Sequence, residues 1–252
     1  MSGHNKWSKI KHQKGASDAK RGNLYTKLTR EIIIATREGG GDPDGNFRLR
    51  LAIQKARDSN MPMDNIDRAI KKGSGEGEGG ALVEMVLEGY GPGGTAILVN
   101  ALSDNRNRTV QEVRSTFTRH GGSLAESGSV SWLFENKGVI SIDAVNVDAD
   151  ELALQAIDAG AEDVKVENGS VEVYTAPENL MKVRQALEKN KVVVASGELL
   201  KEPKTMVKLD DKAGVQALKL LDKLESIDDV QNVYSNADIS DAAAAAFQET
   251  PA

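Results

Sequence analysis

The stretch that decides the fold is residues 138–195, GVISIDAVNVDADELALQAIDAGAEDVKVENGSVEVYTAPENLMKVRQALEKNKVVVA. Short runs rich in β-branched residues alternate here with segments whose apolar residues recur at helical spacing. Asn168-Gly169 is typical of a tight hairpin turn between two of these runs. The predicted order βαββαβ is that of a ferredoxin-like split βαβ sandwich. The predicted strands are 138–142, 164–167, 171–174 and 192–195, and the predicted helices are 148–158 and 178–189.

The sequence on both sides of this block predicts a second α+β unit. Before the block, two β-forming runs flank the glycine-rich hairpin turn GYGPGG, a helix capped by Asp104 follows, and a strand is expected at 130–134. After the block come a strand, a helix and a strand. We therefore predict that one domain is inserted into another. The boundaries are 81–136 plus 203–238 for the discontinuous domain, 137–202 for the inserted ferredoxin-like domain, and 239–252 for a frayed helical tail.

Residues 1–80 predict a small basic helical domain. Residues 1–16 suit an extended basic arm, and Ser17 is a candidate N-cap for the helix that follows. GSGEGEGG at 73–80 has the composition of a flexible linker. The expected fold class is therefore α+β and multidomain, a helical domain followed by two α+β domains. The predicted helices are 17–38, 46–58 and 64–72, the last with Asp64 at its cap.

Charge divides the chain in two. The chain holds 32 Lys and Arg against 38 Asp and Glu, a formal net charge of −6. Residues 1–80 hold 16 basic and 10 acidic residues, whereas the remaining 172 residues hold 16 basic and 28 acidic ones. Residues 1–80 are therefore suited to bind a polyanion, whereas the acidic remainder of the chain would repel one. Nucleic acid is the leading candidate for this polyanion. The alternative is a solvated basic face with no partner.

The N-terminal region supplies most of the candidate nucleic-acid contacts. Clustered cations attract phosphates, and interleaved aromatic rings offer stacking surfaces. In a helix, Lys20, Lys27 and Arg30 could form a basic ridge, or Arg21 could do so with Lys14 beyond it. Tyr25 is as suited to the core as to a ligand. The candidate contacts are Lys6, Trp7, Lys9, Lys11, Lys14, Lys20, Arg21, Lys27 and Arg30.

A further candidate is the motif SDNRNRT at 103–109. Because it opens a helix, backbone amides, Arg106 and Arg108 would converge where an anion binds. The alternative is that Asp104 only caps the helix and the arginines are solvated. GYGPGGT lacks the lysine of a phosphate loop and precedes a strand, so we interpret it as a hairpin tip.

Sequence-specific groove reading is disfavoured. The three N-terminal helices permit a helix-turn-helix with 58–63 as its turn. Such a reading helix would present Asp64 and Asp67 to the DNA, where phosphates repel them. Recognition of backbone or shape fits better.

No enzyme is predicted, and no catalytic residue, metal or cofactor. The absence of cysteine excludes disulfides and thiolate chemistry and suits a reducing cytoplasm. His4, His12 and His120 are dispersed, and no hydrolase or metalloprotease motif occurs. No apolar run approaches a membrane span, and the N-terminus lacks the pattern of a secretory signal. We expect a cytoplasmic protein with no membrane or small-molecule partner and an undetermined oligomeric state.

Seven motifs, in order, resemble the YebC family. They are MSGHNKWSKIKHQK, DAKRGNLYTKLTREI, GGGDPDGNFRLRLAIQKA, NMPMDNIDRAIKKG, EGYGPGGTAILV, LSDNRNRTVQEVR and GSVSWLFENKGVI. The likeness is densest before residue 142 and departs at Leu87, where a tyrosine is expected. The resemblance implies three domains and a cytoplasmic, DNA-binding transcriptional regulator. It also implies a rival role, because family members, including mitochondrial translational activators, are linked to translation and stalled ribosomes. Ribosomal RNA and the ribosome are therefore the alternative partners.

Overall fold

The computed structural model describes residues 18–75, 82–143, 148–167 and 170–249. The helices are α1 Asp18–Gly39, α2 Phe47–Asp58, α3 Met63–Gly73, α4 Arg106–Arg119, α5 Ala149–Ala159, α6 Leu180–Lys189, α7 Asp211–Glu225 and α8 Asp241–Gln248. The strands are β1 Val83–Tyr90, β2 Ala96–Ser103, β3 Ser123–Leu124, β4 Phe134–Asp143, β5 Asp163–Glu167, β6 Ser170–Thr175, β7 Val194–Pro203, β8 Val207–Lys208, β9 Val230–Ser235 and β10 Ala237–Asp238.

Helices α1 to α3 form a helical module around their own apolar core, which includes Leu28, Ile32, Leu49 and Ile66. The side chain of Asn46 caps α2 by accepting from the amide of Leu49 at 3.0 Å. The sequence placed Asp64 at the cap of α3, which is wrong: Pro62 occupies that position and Asp64 lies in the first turn. The predicted cap Ser17 and the linker residues 76–81 lie outside the described residues.

The middle module is a four-stranded sheet of order β3-β1-β2-β9. Strand β9 pairs antiparallel with β2, so residues 230–235 complete a sheet that begins at residue 83. Helices α4, α7 and α8 pack on one face through a shared core in which Phe117, Leu218 and Leu220 are fully buried.

The inserted module is a four-stranded antiparallel sheet of order β5-β6-β4-β7, with α5 and α6 packed through Leu152, Leu180 and Leu187. Numbered within the module, this order is 2-3-1-4, the arrangement of a ferredoxin-like split βαβ fold. The mixed fold class predicted from the sequence is confirmed: a helical region is followed by α+β modules. The domain boundaries themselves stay a prediction.

Two local predictions in the middle module are wrong. Residues 131–133 form a 3₁₀ turn, and β4 begins only at Phe134. The segment expected to be a frayed tail includes α8, whose Ala243 and Phe247 are buried against the module's core. An alanine run has weak amphipathic signal, but Ala243, Ala244 and Phe247 of this helix are all buried in the core of the middle module.

The two sheets meet through a fourth apolar cluster. Leu98 and Tyr234 of the middle sheet contact the inserted module, which contributes Val139, Tyr174 and Leu200. These side chains are at most 8% exposed. The middle sheet therefore carries helices on one face and the inserted module on the other.

The helical module contacts the inserted module through charged groups and one leucine. Arg184 of α6 donates to both carboxylate oxygens of Asp58, at 2.9 and 3.0 Å. Lys55 of α2 lies 3.4 Å from Glu198 of β7, and Leu51 packs against the core of the inserted module. Within the described residues, no helix is both long and apolar enough to cross a membrane.

Candidate nucleic-acid interface

Five of the predicted contacts lie outside the described residues: Lys6, Trp7, Lys9, Lys11 and Lys14. Lys20 lies in the first turn of α1, but its side chain is not described. Arg21, one position later, is exposed. The basic arm therefore stays a prediction.

Lys27 and Arg30 lie on the face of α1 that contacts the turn after α7. Lys27 Nζ donates to the carbonyl of Glu225 at 2.6 Å. Arg30 donates to the carbonyl of Asp228 at 2.6 Å and to Oδ1 of Asp229 at 3.0 Å. In this structure Lys27 and Arg30 are thus engaged by two backbone carbonyls and one carboxylate some two hundred positions away, and their contact with nucleic acid stays a prediction. Their use by a ligand would require exchange of these partners.

Tyr25 is a core residue. Its ring packs against the helical core, and its hydroxyl donates to the carbonyl of Asn60 at 2.8 Å. Of the two possibilities that the sequence left open for this tyrosine, the structure selects packing.

Asp229 is the centre of a buried polar cluster. Its side chain is 4% exposed, and Oδ2 accepts from Thr109 at 2.6 Å, Ser103 at 2.9 Å and Arg108 at 2.7 Å. Oδ1 accepts from Arg30. Burial by itself would raise the pKa of Asp229, but the hydrogen bonds from Arg108, Thr109 and Ser103 outweigh it and hold that pKa below its ordinary value. The carboxylate is therefore ionised at neutral pH.

The SDNRNRT motif is organised by this carboxylate. Asn105, rather than the predicted Asp104, caps α4 by accepting from the amide of Arg108 at 3.1 Å. Arg108 pairs with both Asp104 and Asp229, which raises its pKa. The carboxylate of Asp229 thus occupies the position beside Arg108 where the sequence predicted that an external anion would bind. The side chain of Arg106 is exposed and makes no hydrogen bond or ion pair with the described residues.

Three exposed cations that the site prediction omitted gather at one end of the helical module: Arg37, Lys71 and Lys72. They lie in the last turns of α1 and α3. The two helix ends adjoin because Gly73 lies against Ile33 and Thr36. Cations at helix C-termini also complement the helix dipole. The sequence could have predicted this group, because Arg37 precedes the helix-ending Gly39 and Lys71 and Lys72 precede the helix-ending Gly73.

Aromatic residues of the middle module were also missed. Trp132 is 65% exposed and Tyr90 is 41% exposed. Trp132 was missed because a strand was predicted at 130–134. Side chains alternate between the two faces of a strand, which suggested that the Trp132 ring is half-buried. In the structure, the 3₁₀ turn places it at the surface.

The described residues hold no group of three or more His, Asp and Glu side chains suited to a metal ion. The chemistry the described surface offers is attraction of anions by exposed guanidinium and ammonium groups, together with aromatic stacking.

Comparison with known proteins identifies both parts of the chain. The family model described as TACO1/YebC protein N-terminal domain matches residues 5–76, and that of the TACO1/YebC second and third domain matches residues 82–237. A probable transcriptional regulatory protein of Dehalococcoides mccartyi is 63% identical over 238 residues, covering 94% of this chain and 95% of the relative. One of Geobacter sulfurreducens is 56% identical over 240 residues, covering 95% and 97%. The crystal structure of a conserved hypothetical protein from Aquifex aeolicus superimposes with a TM-score of 0.82, at 49% identity, covering 89% of this chain and 93% of that one.

Proposed function

Because this chain belongs to the TACO1/YebC family, we propose that it is a non-enzymatic regulatory protein that binds DNA and controls transcription in the cytoplasm. The names of its relatives support a regulatory role. The observation that carries nucleic-acid binding is charge polarity: residues 1–80 have an excess of six basic residues, whereas the rest has an excess of twelve acidic ones.

Binding occurs through phosphates rather than base edges. Arg37, Lys71 and Lys72 are exposed at one end of the helical module, and Arg21 is exposed near the start of α1. Asp64 and Asp67 are exposed near the start of α3, which disfavours insertion of that end into a groove. The acidic body does not prevent binding, because its field is screened within about 8–10 Å at cellular salt.

The test measures affinity for duplex DNA as a function of salt. Neutralising Lys9, Lys11, Lys20 and Arg21 to glutamine is expected to weaken binding and to reduce the slope of log affinity against log salt by about 3 to 4. A matched control neutralises four exposed lysines of the body: Lys182, Lys189, Lys208 and Lys212. Equal affinity of the N-terminal variant and the parent would contradict the proposal.

A second candidate is a ribosome-associated translation factor that binds ribosomal RNA and relieves stalled translation. The observation that favours it is the exposure of Tyr90 and Trp132, since exposed rings suit unpaired bases better than a duplex. Crosslinking in living cells, followed by sequencing of all attached DNA and RNA, separates the candidates. Discrete promoter DNA would support the first, and ribosomal RNA at a few fixed positions would support the second.

A further inference from the structure

We infer that Tyr90 and Trp132 form a stacking platform for the bases of a single-stranded polynucleotide, with Lys204 placed beside it for a phosphate. The inference rests on the proposed binding of nucleic acid and gives the middle module a direct share in it. Ligand recognition would then extend beyond the basic helical module.

The two rings are held by the same backbone oxygen. Trp132 Nε1 donates to the carbonyl of Ser129 at 3.1 Å, and the Tyr90 hydroxyl donates to it at 3.4 Å. The polar edges of the two rings therefore converge on one point, while Trp132 remains 65% exposed and Tyr90 41% exposed. Base–aromatic stacking needs a free ring face and tolerates any base.

A buried carboxylate fixes the loop that carries Trp132. Glu88 is 4% exposed and accepts from the backbone amides of Gly128, Val130 and Ser131 at 2.7, 2.7 and 2.9 Å. Burial would raise the pKa of Glu88, but these three amides outweigh it and hold that pKa below its ordinary value. The loop is thus anchored to β1 before any ligand arrives, so that little ordering entropy opposes binding.

Positive charge flanks the rings. Lys204 Nζ donates to the carbonyl of Trp132 at 2.9 Å, and its side chain is exposed. Arg119 is exposed at the end of α4, just before the turn that leads to Ser123, the strand partner of Tyr90. Glu135, an acid close to Trp132 in the chain, lies 3.8 Å from Lys137. An ammonium beside a stacking surface offers a contact for the phosphate of a stacked nucleotide, whereas an uncharged apolar partner would gain nothing from it.

The test uses intrinsic fluorescence, since the chain has only two tryptophans. In Trp7→Phe, Trp132 is the single emitter. We expect oligothymidylate and oligouridylate of about 15 nucleotides, long enough for one site, to quench its emission. Trp132→Ala is expected to weaken single-strand binding by about 5- to 150-fold, the range for loss of one stacked base.

Two controls separate stacking from structural damage. Trp132→Phe keeps a ring and should retain affinity within about threefold. Leu154→Ala removes an equally exposed apolar side chain, 68% exposed on α5, and should change nothing. Circular dichroism of each variant verifies the fold.

Each outcome is decisive. If the parent binds single strands but Trp132→Ala binds equally well and Trp132 emission is unchanged, the platform is wrong while the proposed function stands. Quenching by duplex as strong as by single strands would also overturn it. If the parent binds no nucleic acid at low salt, the proposed function fails, and the inference fails with it. A difference between the thymidylate and uridylate affinities identifies the preferred source of the strand.

Discussion

At the scale of single residues, Asp229 links two modules through the hydrogen bonds that its carboxylate accepts. One carboxylate accepts from Arg30 of the helical module and from Ser103, Arg108 and Thr109 of the middle module. Its backbone carbonyl also accepts from the amide of Leu102 at 2.8 Å. Arg108 is half exposed, so water screens its share of the attraction, whereas the hydroxyl donors are buried.

We predict that Asp229→Asn lowers the free energy of unfolding by about 2 kcal/mol, in line with hydrogen bonds to charged groups. The amide removes the charge that Arg30 and Arg108 pair with and replaces one acceptor by a donor. Urea denaturation at pH 7 measures the change. Asp228→Asn is the matched control: Asp228 is exposed and the amide keeps an acceptor for Asn23, so its midpoint should stay close to that of the parent.

The pH dependence of this loss follows from the lowered pKa of Asp229. Near pH 4 and below, the unfolded chain protonates this aspartate while the folded chain still holds it ionised. The contribution of Asp229 is therefore complete above the unfolded pKa and is lost as the pH falls through the folded pKa. The gap between the parent and Asp229→Asn should be constant above about pH 5 and narrow in acid. A gap that widened in acid would contradict this assignment.

At the scale of secondary-structure elements, the contact between α1 and α3 depends on one small residue. A Cβ added at Gly73 would lie 2.6 Å from Cβ of Thr36 and 2.8 Å from the carbonyl of Ile33. Both neighbours are rigid parts of α1. The two helices approach this closely only because position 73 has no side chain.

Gly73→Ala is expected to destabilise the helical module by about 1–3 kcal/mol, because the added methyl must push the helices apart. Gly22→Ala is the control. A Cβ at Gly22, in α1, meets nothing within 4 Å, and alanine favours a helix by about 0.5–1 kcal/mol. Thermal unfolding should move in opposite directions for the two variants. A stabilised Gly73→Ala protein would show that the helices have room to separate.

Periodicity predicted most of these elements because it reports local burial. The helix that begins at Phe47, the strand order of the inserted module and the α7 helix all follow from β-rich runs and apolar stripes. The exceptions have physical causes. Trp132 follows a loop fixed by Glu88, more than forty positions earlier, and Phe247 docks a helix with little amphipathic pattern.

The candidate interface was harder to predict than the fold. Basic residues are visible in a sequence, but the partners that engage them are not. Lys27 and Arg30 contact residues 225–229, and Arg108 contacts Asp229, through long-range pairs that no local pattern encodes. The family resemblance, by contrast, was carried by whole motifs and is confirmed.

At the scale of the whole molecule, one arginine ties the helical module to the inserted one. Arg184 is 4% exposed, binds Asp58 with two nitrogens, and uses Nε for Glu188 at 2.9 Å. These partners and its burial have opposing effects, and the net pKa of Arg184 is raised. The planar guanidinium of arginine can bind both carboxylate oxygens of Asp58 at once, whereas the compact ammonium of a lysine does not match this two-point geometry.

We therefore predict that Arg184→Lys speeds amide hydrogen exchange in α2 and α6 by about tenfold, equivalent to about 1.4 kcal/mol, through easier separation of the modules. Exchange in α8, which lies in the middle module, should be unaffected. Arg57→Lys, at an exposed position next to Asp58, provides the control. Equal acceleration in all three helices would indicate global unfolding instead.

The ends of the inserted module have an evolutionary consequence. Phe134 and Pro203 are strand partners, and the amide of Lys204 donates to the carbonyl of Leu133 at 2.8 Å. The chain thus leaves and rejoins the middle module at nearly one point, so a gene could gain or lose these codons without redirecting the backbone. Loss would nevertheless leave Leu98 and Tyr234 in water. The segment is therefore easy to splice in but costly to remove, because removal would expose the apolar face that it covers.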